Sequence, residues 1–316
     1  MTRVPLGRTG LQISPLVYGT LPLGPLQARL SAAEGGKLIR YALEQGVNLL
    51  DTAELYGTYE HIRHGIAGFS GEVLIASKTH AADATTARAH VERALREMGR
   101  ERLDIVHLHG ARLQQPFVER SEVFAELLKM RDEGKIAQLG LSTHYVCAVY
   151  QAAEQPDVEV IHPLINRQGM GIIDGSADEM ATAIAAASQA GKGIYAMKAL
   201  AGGNLIDKAR EHIRYVAGLP GVDALALGMT GTAEIDANLA LLTASGEDEE
   251  AWHKLEQRRR KLVIMEQFCK GCGACVPACT NDALQLVEGK AKVDEENCIL
   301  CGYCGAACPE FMIRVV

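Results

Sequence analysis

Eight of the nine cysteines of this 316-residue chain lie in its last 48 residues. They form two copies of one spacing, and each cysteine of the first set has a counterpart 29 residues later. Three closely spaced thiolates can bind one iron–sulfur cubane from a single loop, while the fourth, further along the chain, binds the other cubane. The spacing therefore predicts two [4Fe–4S] clusters, the first held by Cys269, Cys272, Cys275 and Cys308 and the second by Cys298, Cys301, Cys304 and Cys279.

A tail crosslinked by disulfides is the alternative interpretation of these cysteines. Disulfides persist in oxidising compartments, and the first residues carry no secretory pattern. A structural zinc site would need only four ligands. We therefore expect a cytoplasmic protein whose thiols stay reduced and bind iron.

Residues Val263 to Val316 resemble the bacterial-type ferredoxin domains. Pro309 follows Cys308 as in that family, whereas Thr280 stands where the first set often carries proline. The resemblance implies a small α+β domain that transfers electrons, and it makes a redox protein a possible partner.

The remainder of the chain has the composition of an α/β protein. Hydrophobic residues make up 48% of the chain but aromatic residues only 5%, so the core must consist of aliphatic side chains. The net charge of −7 offers no basic surface for nucleic acid, and no apolar run approaches the length that crosses a bilayer. We expect neither a nucleic-acid nor a membrane partner.

Short apolar runs alternate with amphipathic stretches along the first 245 residues, which predicts repeated βα units and a parallel sheet. Eight runs imply a closed (β/α)8 TIM barrel; an open doubly wound sheet is the competitor, but no G-x-G-x-x-G follows the first strand. The predicted strands are Leu16–Gly19, Val47–Asp51, Val73–Ser77, Leu103–His109, Ile136–Ser142, Val158–Pro163, Ile194–Ala199 and Ala224–Gly228. The predicted domains are a barrel over 1–245, a connecting helix over 246–262 and an iron–sulfur domain over 263–316.

The connecting segment begins with acidic residues and ends with basic ones, an order that complements a helix dipole. A solvated helix from Glu247 to Lys261 is the simpler interpretation. The alternative is that the basic run, Arg258 to Lys261, docks an acidic electron-transfer partner.

Four polar residues fall at or just after the carboxyl ends of successive barrel strands, where barrel active sites lie. They are Asp51, Tyr56, Lys78 and His109. An ammonium beside a tyrosine lowers the phenol pKa from about 10 towards neutrality, which suits a general acid. We expect Asp51 to hold Lys78 and His109 to orient a carbonyl oxygen, whereas His107, deeper in the same strand, is interpreted as structural.

The stretches that carry these residues resemble the aldo-keto reductase family over about residues 1 to 245. They are Leu6–Leu11, Asn48–Gly57, Ile75–Lys78 and Leu103–His109. The resemblance implies a (β/α) barrel in which an Asp, Tyr, Lys, His tetrad reduces carbonyls with a nicotinamide cofactor. It also implies cofactor contacts from Ser142, Thr143, Asn166, Met197, Lys198, Gly228 and Asn238.

Several positions depart from that family's pattern. His162 stands where many members carry glutamine, and Met197 replaces a tyrosine that stacks on nicotinamide. The segment Gly228–Glu234, expected over the adenosine end, has no basic residue to bind a 2′-phosphate. Because Glu234 repels an anion, the sequence favours NAD(H) over NADP(H).

A barrel joined to an iron–sulfur domain allows three interpretations of its function. Clusters pass single electrons whereas hydride transfer moves two, so coupling calls for a flavin or a similar group, and no flavin motif is evident. The chain could be a carbonyl reductase coupled to its clusters, or a nicotinamide enzyme with structural or redox-sensing clusters. The third reading is an iron–sulfur electron carrier whose barrel is a binding scaffold. The intact tetrad favours the first two readings and a small carbonyl or alcohol substrate.

Overall fold

The computed structural model describes residues 2–244, 246, 248–310 and 312–316. Eight parallel strands form a closed barrel in which each strand pairs with the next and the last pairs with the first. The strands are β3 Leu16–Gly19, β4 Leu49–Asp51, β5 Leu74–Thr79, β6 Leu103–Gly110, β7 Ile136–Thr143, β8 Val160–Pro163, β9 Gly193–Met197 and β10 Ala224–Gly228. The predicted barrel is confirmed.

Helices alternate with the strands around the outside of the barrel. They are α1 Ala32–Glu44, α2 Tyr59–Ile66, α3 Ala84–Met98, α4 Pro116–Glu119, α5 Ser121–Asp132, α6 Val146–Glu154, α7 Ala177–Gln189, α8 Ala209–Ala217 and α9 Thr232–Thr243. Helix α1 begins with a capping box between Ser31 and Glu34, which satisfies free backbone N–H groups. Helix α2 is amphipathic, since Tyr59, Ile62 and Ile66 follow each other at three- and four-residue spacing.

A two-stranded hairpin, β1 Val4–Pro5 and β2 Gln12–Ile13, covers the amino-terminal end of the barrel. Leu6 and Ile13 are fully buried there and pack with residues at the strand beginnings, such as Leu49. Because this end is filled with apolar side chains, only the carboxyl ends of the strands are left to form a site.

The connecting helix differs from its prediction. Helix α10 spans Glu249–Glu256, and its amino end is capped by Asp248, whose carboxylate accepts a hydrogen bond from the backbone N–H of Ala251. It is shorter than predicted because the arginines that follow leave the helix. It is also not simply solvated, since Trp252 and Leu255 are buried against the barrel. Ser245, the last residue of the predicted barrel, and Glu247, the first residue of the predicted helix, lie outside the described residues.

A small α+β domain follows, as predicted. Strand β11 Leu262–Ile264 pairs antiparallel with β14 Ile313–Val315, and β12 Leu284–Val287 pairs with β13 Lys290–Val293. One short helix, α11, spans Tyr303–Ala307. Within the described ranges, no helix has the length and apolar character needed to span a bilayer.

The cysteine-rich domain lies on the loops at the carboxyl ends of the barrel strands. Side chains of the barrel bind its backbone: Gln27 donates to the carbonyl of Leu300, and Asn204 donates to that of Cys298 at 2.6 Å. Arg112 donates to the carbonyl of Cys279 at 2.5 Å. The two domains therefore meet over the end of the barrel where the predicted catalytic residues lie.

Candidate functional site

An ion pair between Asp51 and Lys78 forms the base of the site. The Lys78 ammonium donates to both carboxylate oxygens at 2.6 and 2.7 Å, and to the carbonyl of Thr52 at 2.8 Å. Both side chains are almost completely buried. Burial lowers the pKa of Lys78, and the charge of Asp51 opposes that effect.

Tyr195 on β9 also holds Asp51, and sequence reasoning missed it. Its hydroxyl donates to Oδ2 of Asp51 at 2.9 Å and lies 2.5 Å from Nε2 of His107. His107 therefore has the structural position that the sequence predicted. The signal for Tyr195 was its place two residues before Met197 on the same strand, since such residues face the same side of a strand.

Tyr56 lies beside this network but its pKa moves in the opposite direction from the prediction. Burial raises the pKa of Tyr56 well above its usual value, and a hydrogen bond to Tyr303 and the charge of Asp51 add to the effect. The Lys78 ammonium faces the Tyr56 ring, 5.0 Å from its centroid, while its hydrogen bonds go to Asp51 and Thr52. Tyr56 therefore stays protonated at neutral pH and has a proton that it can donate.

His109 lies beside Tyr56. The two rings meet edge to face with centroids 6.3 Å apart. Burial and the nearby Lys78 charge lower the pKa of His109 well below its ordinary value, so its imidazole is neutral. A neutral imidazole can donate one hydrogen bond to a carbonyl oxygen that Tyr56 also binds.

A cavity of about 390 Å³ extends from this group along the carboxyl end of the barrel. Four of the seven predicted cofactor contacts line it: Met197, Lys198, Gly228 and Asn238. His162 also lines it, and its Nδ1 lies 2.6 Å from the carbonyl of Tyr195.

The structure does not bring the other three predicted contacts to the cavity wall. Asn166 bonds within its own loop: its Oδ1 accepts from the N–H groups of Gln168 and Met170. Thr143 accepts from the N–H of Tyr145. Ser142 is different, because its hydroxyl is buried and has no hydrogen-bond partner. An orphaned buried hydroxyl fits a residue that binds the polar carboxamide of a nicotinamide.

Arginines from the connecting segment reach the far end of the cavity. Arg258, Arg259 and Arg260 all line it, together with Glu234. Arg258 forms an ion pair with Glu234, and Arg260 donates to Gln27 at 2.7 Å. Gly228–Glu234 has no basic residue, but the folded protein brings three arginines from the connecting segment to the same cavity.

The eight clustered cysteines separate into the two sets that the sequence predicted. One small cavity is lined by Cys269, Cys272, Cys275 and Cys308, and another by Cys279, Cys298, Cys301 and Cys304. All eight are free cysteines. The fourth cysteine of each set lies with the three of the other set, which fits two cubanes.

Backbone N–H groups also point at several of these sulfurs. Ala283 donates to Cys279 at 3.3 Å, and Met312 donates to Cys308 at 3.4 Å. Hydrogen bonds of this kind stabilise the negative charge of a cluster and help to set its potential.

Comparison with known proteins matches both parts of the chain. The family model "Aldo/keto reductase family" matches residues 15–219, and "4Fe-4S dicluster domain" matches residues 268–312. An uncharacterised ferredoxin of Methanocaldococcus jannaschii is 43% identical over 56 residues, which are 17% of this chain and 37% of that protein.

The barrel has relatives of known name. Aflatoxin B1 aldehyde reductase member 2 of Rattus norvegicus is 32% identical over 168 residues, 49% of this chain and 43% of the relative. The chain spans about half the length of the curated barrel relatives that it matches. A crystal structure of a putative aldo-keto reductase from Pseudomonas aeruginosa has a TM-score of 0.66 at 28% identity, covering 77% of this chain and 95% of that one. The chain belongs to the aldo/keto reductase family and carries a 4Fe-4S dicluster domain at its carboxyl end.

Proposed function

We propose that the protein reduces an aldehyde or ketone, or oxidises the corresponding alcohol, with a nicotinamide cofactor and with Tyr56 as the proton donor. The observation that carries the proposal is the hydrogen-bonded group of Asp51, Lys78 and Tyr195 beneath a protonated Tyr56. The open cavity alongside, with Met197 and Lys198 in its wall, is the proposed place for the cofactor.

In this mechanism each residue of the site has a separate role. A nicotinamide bound in the cavity would supply the hydride. The Tyr56 hydroxyl and the neutral imidazole of His109 hold the carbonyl oxygen, and Tyr56 gives its proton to that oxygen as negative charge develops there. Asp51 and Tyr195 fix Lys78 beneath the Tyr56 ring, where its positive charge stabilises the phenolate that remains.

We further propose that the two groups of four cysteines hold two [4Fe–4S] clusters. Such clusters supply one-electron transfer. The first group consists of Cys269, Cys272, Cys275 and Cys308, and the second of Cys298, Cys301, Cys304 and Cys279. We also propose that the barrel ends at residue 245 and the iron–sulfur domain begins at residue 263. In this proposal the arginines of the connecting segment belong functionally to the barrel, because they line its cavity.

The same arginines lead us to propose that NADP(H) binds at least as well as NAD(H). Arg258 neutralises the carboxylate that was expected to repel a phosphate. Arg259 and Arg260 add two further guanidinium groups to that end of the cavity, and guanidinium groups bind phosphate with paired hydrogen bonds.

The test is a steady-state assay with NADPH, NADH and a panel of aldehydes and ketones, on anaerobically purified protein of known iron content. We expect carbonyl-dependent oxidation of the cofactor, and a loss of at least about 100-fold in kcat for Tyr56→Phe because the proton donor is removed. Equal turnover by wild type and Tyr56→Phe would contradict the proposed role of Tyr56. No turnover with any carbonyl, with clusters intact, would favour the electron-carrier reading.

A further inference from the structure

A tyrosine of the cysteine-rich domain lies inside the barrel site. Tyr303 begins α11, between the predicted cluster ligands Cys301 and Cys304. Its ring packs against Tyr56, and its hydroxyl lies 3.5 Å from Nε2 of His109. These are the two groups that the proposed mechanism assigns to a substrate carbonyl oxygen.

The Tyr303 ring is held in this position by packing. It packs against a buried group of Leu26, Ala53 and Tyr56, and it meets the His109 ring at an interplanar angle of 87°. The Tyr303 side chain therefore lies against both Tyr56 and His109 inside the site.

The backbone around Tyr303 also lies directly on the barrel. Gly302 has a φ of +84°, and a Cβ at that position would lie 2.4 Å from the carbonyl oxygen of Leu26. A Cβ at Gly202 would lie 2.0 Å from the carbonyl oxygen of Ile299. Two glycines, one from each domain, thus permit an approach that any larger residue would prevent. The position of Tyr303 follows from the way the two domains fit together.

Tyr303 does not line the cavity that is proposed for the cofactor. Among the described residues, those that line the 390 Å³ cavity include Tyr56 and Met197 but neither Tyr303 nor His109. Tyr303 therefore occupies the substrate side of Tyr56, while the cavity on the other side stays open.

We propose that Tyr303 is a specificity-determining residue that the iron–sulfur domain contributes to the barrel. Its phenol oxygen occupies the position of a carbonyl oxygen, so that every carbonyl substrate competes with it for Tyr56 and His109. Substrate binding requires that the Tyr303 side chain turns away or that the domain shifts. The inference rests on the proposed function, because it assigns the substrate side of that same site.

The experiment compares wild type with Tyr303→Phe and Tyr303→Ala. Loss of the competing hydroxyl lowers the KM for a small aldehyde by about two- to tenfold, the range for one neutral hydrogen bond, and leaves kcat within about twofold. Tyr303→Ala in addition opens space above Tyr56, so its gain is larger for a bulky aromatic aldehyde than for a small one. Tyr150→Phe is the matched control, since that side chain is 40% exposed and lies on α6.

A second measurement does not depend on turnover. Benzoate offers an acceptor oxygen to the same two donors, and its dissociation constant is measured by calorimetry with the oxidised cofactor present. We expect tighter binding to both Tyr303 variants than to wild type, with iron content and cluster spectra unchanged. The conservative variant Tyr303→Phe keeps the ring, so the comparison survives if Tyr303→Ala loses its clusters.

Each outcome of these measurements either supports or overturns the inference. Unchanged or weaker benzoate binding by Tyr303→Phe, or a fall in its kcat with intact clusters, overturns the inference, because Tyr303 would then assist rather than compete. Tighter benzoate binding in variants that reduce no carbonyl supports Tyr303 as the occupant and contradicts the proposed function instead.

Discussion

The hydroxyl of Tyr195 donates a hydrogen bond to Oδ2 of Asp51 at 2.9 Å, across the interior of the barrel from β9 to β4. The same carboxylate accepts from Lys78. A residue that the sequence analysis did not single out thus positions the ion pair on which the proposed chemistry depends.

Tyr195→Phe is expected to destabilise the protein and to slow it. The variant loses a hydrogen bond to a charged group, worth about 1.5–3 kcal/mol of unfolding free energy, and leaves Nε2 of His107 without its partner. We expect a lower midpoint in urea unfolding and about a tenfold lower kcat. Tyr150→Phe should change neither quantity, and equal midpoints for the two variants would show that the bond to Asp51 contributes little.

Lys78→Met is expected to lower the free energy of unfolding by more than a double variant that removes both charges of the Asp51–Lys78 ion pair. Removing one partner leaves the Asp51 carboxylate buried and unpaired, a penalty of about 3–5 kcal/mol. The double variant Asp51→Asn with Lys78→Met contains no buried charge at this position and should regain part of that stability. Denaturant unfolding of the two single variants and the double variant measures the coupling, and additive losses would argue against the ion pair.

Acid should destabilise the barrel below about pH 6.5, the ordinary histidine pKa. Burial lowers the pKa of His144 to about 3, and it lowers the pKa values of His107, His109 and His162 as well. The unfolded chain then binds protons that the folded chain does not, so stability is full above the unfolded pKa and falls as the pH drops. Each histidine contributes at most about 1.4 kcal/mol per pH unit.

The measurement is the urea midpoint at pH 7.5 and 5.8. His144→Asn removes one of the four histidines, so its stability should decline less than that of wild type over this range. His253→Asn is the control, because that residue is exposed on α10. Parallel declines for wild type and His144→Asn would rule out the proposed contribution of His144.

Paired cysteine variants test which thiols share a cluster. Cys308 lies with Cys272, not with Cys304 of its own sequence repeat. Cys308→Ala and Cys272→Ala should therefore damage the same cluster, and the double variant should lose no more than about four of the eight iron atoms. Cys308→Ala with Cys304→Ala should lose both clusters. Iron analysis and paramagnetic resonance of anaerobic samples distinguish these outcomes, with Cys147→Ala as the control.

Arg259→Gln tests the phosphate end of the cavity. We expect its dissociation constant for NADPH to rise by about tenfold or more, since a charged hydrogen bond is lost, and that for NADH to change little. Lys261→Gln is the control, because that residue is exposed in the same segment and is not among those that line the cavity. A similar loss for both nucleotides would place Arg259 away from a 2′-phosphate.

Local patterns predicted most of the architecture. The bounds of β3 and β10 agree with the predicted strands, because the pattern of apolar residues is a local signal. The connecting helix was predicted too long because a charge gradient suits a helix but does not show where it ends.

The candidate site, too, could be predicted from the sequence only in part. Strand ends placed Asp51, Lys78 and His109 together, since parallel strands of a barrel all end on one face. The direction of the Tyr56 pKa could not be predicted, because it depends on burial and on where the Lys78 hydrogen bonds go.

The sequence by itself determined the chemistry of this protein: a cysteine spacing that divides eight thiols into two sets, and polar residues at the ends of barrel strands. Only the tertiary structure decided what each domain does to the other. Arg258 forms an ion pair with Glu234, and Tyr303 packs against Tyr56, although the members of each pair are well separated in the chain. Such contacts follow from how two folded surfaces fit together, and no local pattern of residues encodes that fit.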